Sequence, residues 1–140
     1  MGTGLLPISQ QSLGVLSSLG YHDYEGLALN EDEKPRMVRD LGDKNFLMLR
    51  NHGLLTAAAT IPDAFVFMYL FEASCMIQVR AQSGGSEVIP IPKPILDGIQ
   101  MAANKVTRGV GPGALAWPAL VCTENLNPDI MVMKSADDPV

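Results

Sequence analysis

The sequence predicts an α/β layered domain, and three observations carry that prediction. Asn45–Arg50 has a continuous apolar centre, Phe46-Leu47-Met48-Leu49, which fits a strand covered on both faces. Thr60-Ile61-Pro62-Asp63 opens a long apolar segment; Thr-x-x-Asp with proline in the first turn is a strong helix start. Short runs of strand length alternate with helical stretches along the rest of the chain.

The 140 residues fit one domain. Apolar residues make up 47% of them, enough for a real core, and the net charge is −5. With no basic stripe and no Lys/Arg run, nucleic acid is not expected as a partner. Cys75 and Cys122 match no metal or redox spacing and read as free thiols in a reducing cytoplasm. No secretory leader pattern opens the chain. The longest apolar stretch, Ala64 to Phe71, is too short to span a bilayer, so no membrane is expected.

In order, Gly4-Leu5-Leu6-Pro7-Ile8 reads as a strand almost at residue one, with Ser9 as a cap behind it. So abrupt a start looks like a cut. Gln10 to Leu19 carries a weak helical pattern broken by Gly14. Tyr21-His22-Asp23-Tyr24-Glu25-Gly26 forms a polar turn, and Leu27-Ala28-Leu29 a short strand. Asn30 or Asp32 caps a helix over 32–41, whose Glu31, Asp32 and Glu33 suit the positive end of the dipole. Pro35 falls in its first turn and Gly42 stops it.

The strand Asn45–Arg50 then leads into Asn51-His52-Gly53, where the chain reverses, and Leu54 to Ala57 is strand again. The long helix runs from Thr60 to about Gln82, with Ala64, Met68, Phe71, Cys75 and Val79 as its inner stripe. Its first half is apolar nearly all round, which predicts cover on a second side, as by another subunit. Val88 to Pro94 is an extended, proline-rich crossing. A helix over 94–108 turns Ile95, Ile99, Ala102 and Val106 inward. A last helix over 113–125 carries Trp117 as a core or interface anchor. Residues 1–126 form the domain and 127–140 a tail.

Taken together, Leu49-Arg50-Asn51-His52-Gly53-Leu54-Leu55-Thr56, Ala64-Phe65, Glu72-Ala73 and Ile77-Gln78-Val79-Arg80-Ala81-Gln82 resemble the class II aldolase/adducin family. Gly4-Leu5-Leu6-Pro7-Ile8-Ser9, Tyr21-His22-Asp23-Tyr24-Glu25-Gly26 and Ala116-Trp117-Pro118-Ala119-Leu120 are similar to its adducin-like branch. The resemblance implies a three-layer α/β/α domain, truncated on its N-terminal side, around a mainly antiparallel sheet, assembled as a homotetramer. In catalytic members of that family a zinc ion held by three histidines stabilises an enediolate. The third of those histidines maps onto His52. The other two form a His-x-His pair upstream, where the acid/base glutamate also lies, and this chain has neither. It resembles the C-terminal part of the domain, as a shortened member or a fragment.

His52 is therefore the first candidate metal ligand. One histidine cannot hold a catalytic zinc, which takes three protein ligands. His22, with Asp23 and Glu25, is the second candidate if the fold brings it near His52; otherwise it belongs to a polar turn beside packing tyrosines. No catalytic residue is assigned. Glu72 and Arg80 read as an ion pair, and Gly84-Gly85 is no phosphate loop. Three functions stay open. The chain is a catalytically deficient aldolase-like protein, with zinc not bound by this chain alone. It is a zinc-dependent sugar-phosphate aldolase or epimerase completed by a partner chain or missing sequence. Or it is an adducin-like interaction module.

Overall fold

A computed structural model describes residues 4–27, 31–85, 87–107 and 109–124. The elements run α1 (Gln10–Leu16), β1 (Leu19–His22), α2 (Glu33–Leu41), β2 (Phe46–Leu49), β3 (Gly53–Thr56), α3 (Ile61–Ser83), α4 (Lys93–Thr107) and α5 (Pro112–Glu124). Of the expected strand at 27–29, Leu27 is an exposed bend, and residues 28–29 lie outside the described residues, as does the tail at 127–140.

Among the described residues the sheet has three strands in the order β1-β2-β3. β1 runs parallel to β2, with Leu19 beside Phe46 and His22 beside Leu49. β2 and β3 are antiparallel, with Leu49 beside Gly53. Alternate β2 side chains point to opposite faces, and both faces are covered. Phe46 meets α3 through the rings of Phe67, 5.1 Å away, and Phe71, 5.5 Å away and edge-on. Leu47 is fully buried and reaches under α2. There Gly20 lets the layers close up: a Cβ on it would lie 2.6 Å from the Asp40 carbonyl oxygen and 3.2 Å from Leu47 Cδ1. The result is the layered α/β arrangement expected, with its core at Leu5, Val15, Phe46 and Phe71.

Two local expectations are corrected. Gly4 to Ile8 forms no strand. Its backbone groups are taken by side chains instead: Leu5 N donates to the Tyr21 hydroxyl at 3.0 Å, and Leu6 N to Gln78 Oε1 at 2.6 Å. The weakly helical Gln10–Leu19 ends early. A Ser9–Ser12 capping box starts α1, but Leu19 already belongs to β1, where its neighbours alternate.

The helices show where polarity overrides hydropathy. In α3 the buried side chains are Phe71, Ser74 and Gln78, while Val79 of the expected inner stripe is 53% exposed. Ser74 Oγ donates to Leu70 O at 2.6 Å, so a buried hydroxyl keeps its hydrogen bond. At 23 residues, α3 is long and apolar enough to cross a membrane by length and composition, longer than the apolar run suggested. In this fold it is the helix against which α1, β3 and α5 pack. Ile95 and Val106 of α4, expected inward, are exposed; its Ala103 and Thr107 instead line a cavity shared with Gly14 of α1 and Ser17, which caps α1. Glu72 and Arg80 form no ion pair; eight residues of helix separate them by about 12 Å.

Candidate functional site

The candidate site lies where β1 and β2 end side by side. β2 leaves the sheet at Leu49, and the hairpin closes when His52 N donates to Leu49 O at 3.1 Å. Asn51 occupies the left-handed region at φ 56°, which asparagine tolerates better than most residues. This puts His52 at the hairpin tip, exposed. Among the described residues its ring has no hydrogen-bond partner.

His22, the last residue of β1, is buried. Its carbonyl accepts from Arg50 N at 2.9 Å, which locks the two strand ends together. The ring points toward α2. Nδ1 donates to Asp40 Oδ2 at 2.8 Å, and Nε2 lies 3.4 Å from Glu33 Oε1 without a hydrogen bond of its own. The Asp40 carboxylate raises the pKa of His22 above its ordinary value, against the effect of burial. In return the imidazole lowers the pKa of Asp40, whose other oxygen accepts from Arg39 Nε at 3.1 Å.

Around this pair the loop after β1 is braced by two arginines. Arg36 forks onto Glu25, donating from Nε to Oε1 at 2.8 Å and from Nη2 to Oε2, and this holds the Glu25 carboxyl below its usual range. Arg50 pairs with Asp23 at 3.1 Å and stands 5.0 Å over the Tyr21 ring. Burial pushes the Cys75 thiol up, away from this site. Cys75 is a free thiol.

The fold does bring the two candidate histidines to one place. A cavity of about 50 Å³ is lined by His22, Glu33, Met37, Leu49, Arg50 and His52, among others. It does not assemble a metal centre from them. No group of three or more His, Cys, Asp or Glu side chains among the described residues is placed to hold a metal ion, so the zinc that the resemblance implies does not fit the donor set present. Glu25 is committed to Arg36. Glu33 and Asp40 escaped the sequence reading as site residues. Their spacing was the available signal: seven residues is about two helical turns, so both face one side.

The family described as Class II Aldolase and Adducin N-terminal domain matches residues 1–79. The chain belongs to the class II aldolase/adducin family. A Pseudomonas aeruginosa relative carrying an aldolase class 2 name is 56% identical over 121 residues, covering 84% of this chain and 46% of the relative. Rat alpha-adducin is 39% identical over 97 residues, 67% of this chain and 13% of that protein. A solved aldolase II superfamily protein from Pseudomonas syringae superposes with a TM-score of 0.79 at 39% identity, covering 92% of this chain and 51% of the other. The fold is shared with an L-fuculose 1-phosphate aldolase from Glaciozyma antarctica PI12, at a TM-score of 0.68 and 21% identity. This family member thus spans about half the length of the P. aeruginosa relative.

Proposed function

We propose that this chain is a catalytically deficient class II aldolase-like protein that keeps the His52 hairpin and assembly surfaces without a complete metal site. The donor set carries this reading. A catalytic zinc takes three protein ligands, and His52 has no second and third among the described residues. Elemental analysis of the purified protein tests it. Zinc at background level in wild type and His52→Ala alike is the expected result; stoichiometric zinc lost in His52→Ala overturns it.

One observation favours a second reading. His52 and His22 line the same cavity, so a sugar-phosphate aldolase or epimerase site completed by further residues has a place to form. Cleavage of a sugar phosphate by the protein, abolished in His52→Ala, would establish that reading. We further propose a homo-oligomer in the cytoplasm. Ile61 and Tyr69 of α3 are 76% and 67% exposed, apolar surface of the kind subunit contacts cover, and the free Cys75 thiol suits a reducing compartment.

A further inference from the structure

α2 walls the cavity without burying a single side chain. Helices usually attach through an apolar stripe; here much of the attachment is polar, with Arg36 forked onto Glu25 at mid-helix and a carboxylate near each end facing one imidazole. Asp40, in the last turn of α2, takes Nδ1 of His22 at 2.8 Å. Glu33, the first residue of α2, stands 3.4 Å from Nε2. His22, Leu49, Arg50 and His52 complete the walls beneath.

We propose that α2 is a pH-gated cover over the cavity that His52 lines, latched at both ends by protonated His22 and released at its Glu33 end when the imidazole is neutral. A protonated imidazole has two N–H donors, one for each carboxylate. A neutral one has a single donor, which the shorter bond to Asp40 retains. Nε2 then turns a lone pair toward the Glu33 carboxylate. Both acceptors are poorly hydrated: the Glu33 side chain is 12% exposed and that of His22 is 4% exposed. Neither regains water unless the first turn of α2 moves out, and that movement opens the cavity.

The charges around His22 come from three directions. α2 contributes Glu33 and Asp40, with Arg39 bonded to Asp40. The loop after β1 contributes Glu25, tied to Arg36, and Asp23, tied to Arg50. The hairpin contributes Arg50 and His52. The nearest groups to the ring are carboxylates, consistent with a folded pKa above 6.5. The latch is therefore complete below that value and is lost as pH rises through the raised one. The proposal rests on the cavity and not on any role of His52 in catalysis.

Hydrogen exchange of the α2 amides tests it, read from about pH 6 to about pH 9 as protection corrected for intrinsic exchange. Met37 to Asp40 report opening, because their N–H groups bond back to the first turn, Glu33 to Arg36. Their protection is expected to fall about tenfold with rising pH, the order of one lost contact between buried opposite charges, while α3 stays unchanged. In Glu33→Gln the carboxamide donates to neutral Nε2, and protection is expected to stay flat. Wild-type protection that stays flat while the His22 ring titrates by NMR overturns the proposal, as does a Glu33→Gln variant that keeps the wild-type dependence. Zinc content and activity bear on the preceding proposal and leave this measurement untouched.

Discussion

Gln78 Nε2 donates to the carbonyl oxygen of Gly4 at 2.8 Å, across 74 residues of sequence. Through Oε1 the same amide accepts from Leu6 N at 2.6 Å. One fully buried side chain thus replaces a strand partner for the N-terminal segment. Gln78→Leu leaves both backbone groups buried and unpaired, at about 1–3 kcal/mol each before relaxation. A fall of about 2–4 kcal/mol in unfolding free energy is expected from urea titration. Gln78→Glu keeps the acceptor for Leu6 but turns an oxygen toward Gly4, so it should recover only part of the loss. A Gln78→Leu variant as stable as wild type would show that the segment is held by its apolar contacts instead.

Gln78 also marks the boundary of what the sequence could show. Local signals read correctly: the Thr60 cap, the Gly42 stop and the Asn51-His52-Gly53 reversal all depend on residues within a few positions of one another. The apolar run at Phe46–Leu49 reported its own burial on both faces. What stayed hidden were polar groups buried by tertiary packing. Ser74 turns its hydroxyl back onto Leu70 of its own helix, and Gln78 looks like a surface position until Gly4, 74 residues away, is beside it. Likewise His22 looked like a turn residue, because the spacing of Glu33 and Asp40 puts them on one face of α2 but nothing local sets that face against a strand end. His52 was legible from its hairpin, but the cavity it shares with His22 is a property of the packed sheet.

Phe71 makes the strongest packing prediction. It is fully buried and sits edge-on to Phe46 at the centre of the core. Phe71→Ala removes the ring and leaves a cavity, at about 3–5 kcal/mol. In a domain of marginal stability this should show as a large drop in urea midpoint, or as recovery in the insoluble fraction. Phe71→Leu fills more of the space and should cost about half as much.

The His22–Asp40 pair predicts a pH profile for the whole fold. The pKa of His22 is raised above 6.5, so its contribution is full below that value and is lost as pH rises through the raised one. The pKa of Asp40 is lowered below 3.8, so its contribution is present above that value and is lost as pH falls through the lowered one. The two overlap between 3.8 and 6.5. Thermal melts of wild type and Asp40→Asn should therefore differ most in that window, and the difference should narrow toward alkaline and strongly acid pH. A constant difference across the range would mean that the carboxylate acts by hydrogen-bond geometry alone.

Asp63 joins two helices, and its removal separates local capping from tertiary contact. Its backbone N–H donates to the Thr60 hydroxyl at 3.2 Å, the N-cap bond of α3. Its carboxylate accepts from Thr60 Oγ1 at 2.8 Å and from the backbone N–H of Gly113, in the first turn of α5, also at 2.8 Å. Gly113 packs so closely that a Cβ on it would lie 2.3 Å from the Asp63 backbone nitrogen. Thr60→Ala should cost about 1 kcal/mol as an ordinary cap loss, with the α3–α5 contact intact. Asp63→Ala leaves Gly113 N–H without its acceptor and should also loosen α5, so that Trp117 moves away from Phe65, now 6.0 Å from it. Fluorescence of Trp117, the single tryptophan, reads this out. A red shift in Asp63→Ala but not in Thr60→Ala is expected, whereas equal spectra would place the helix junction in its apolar contacts.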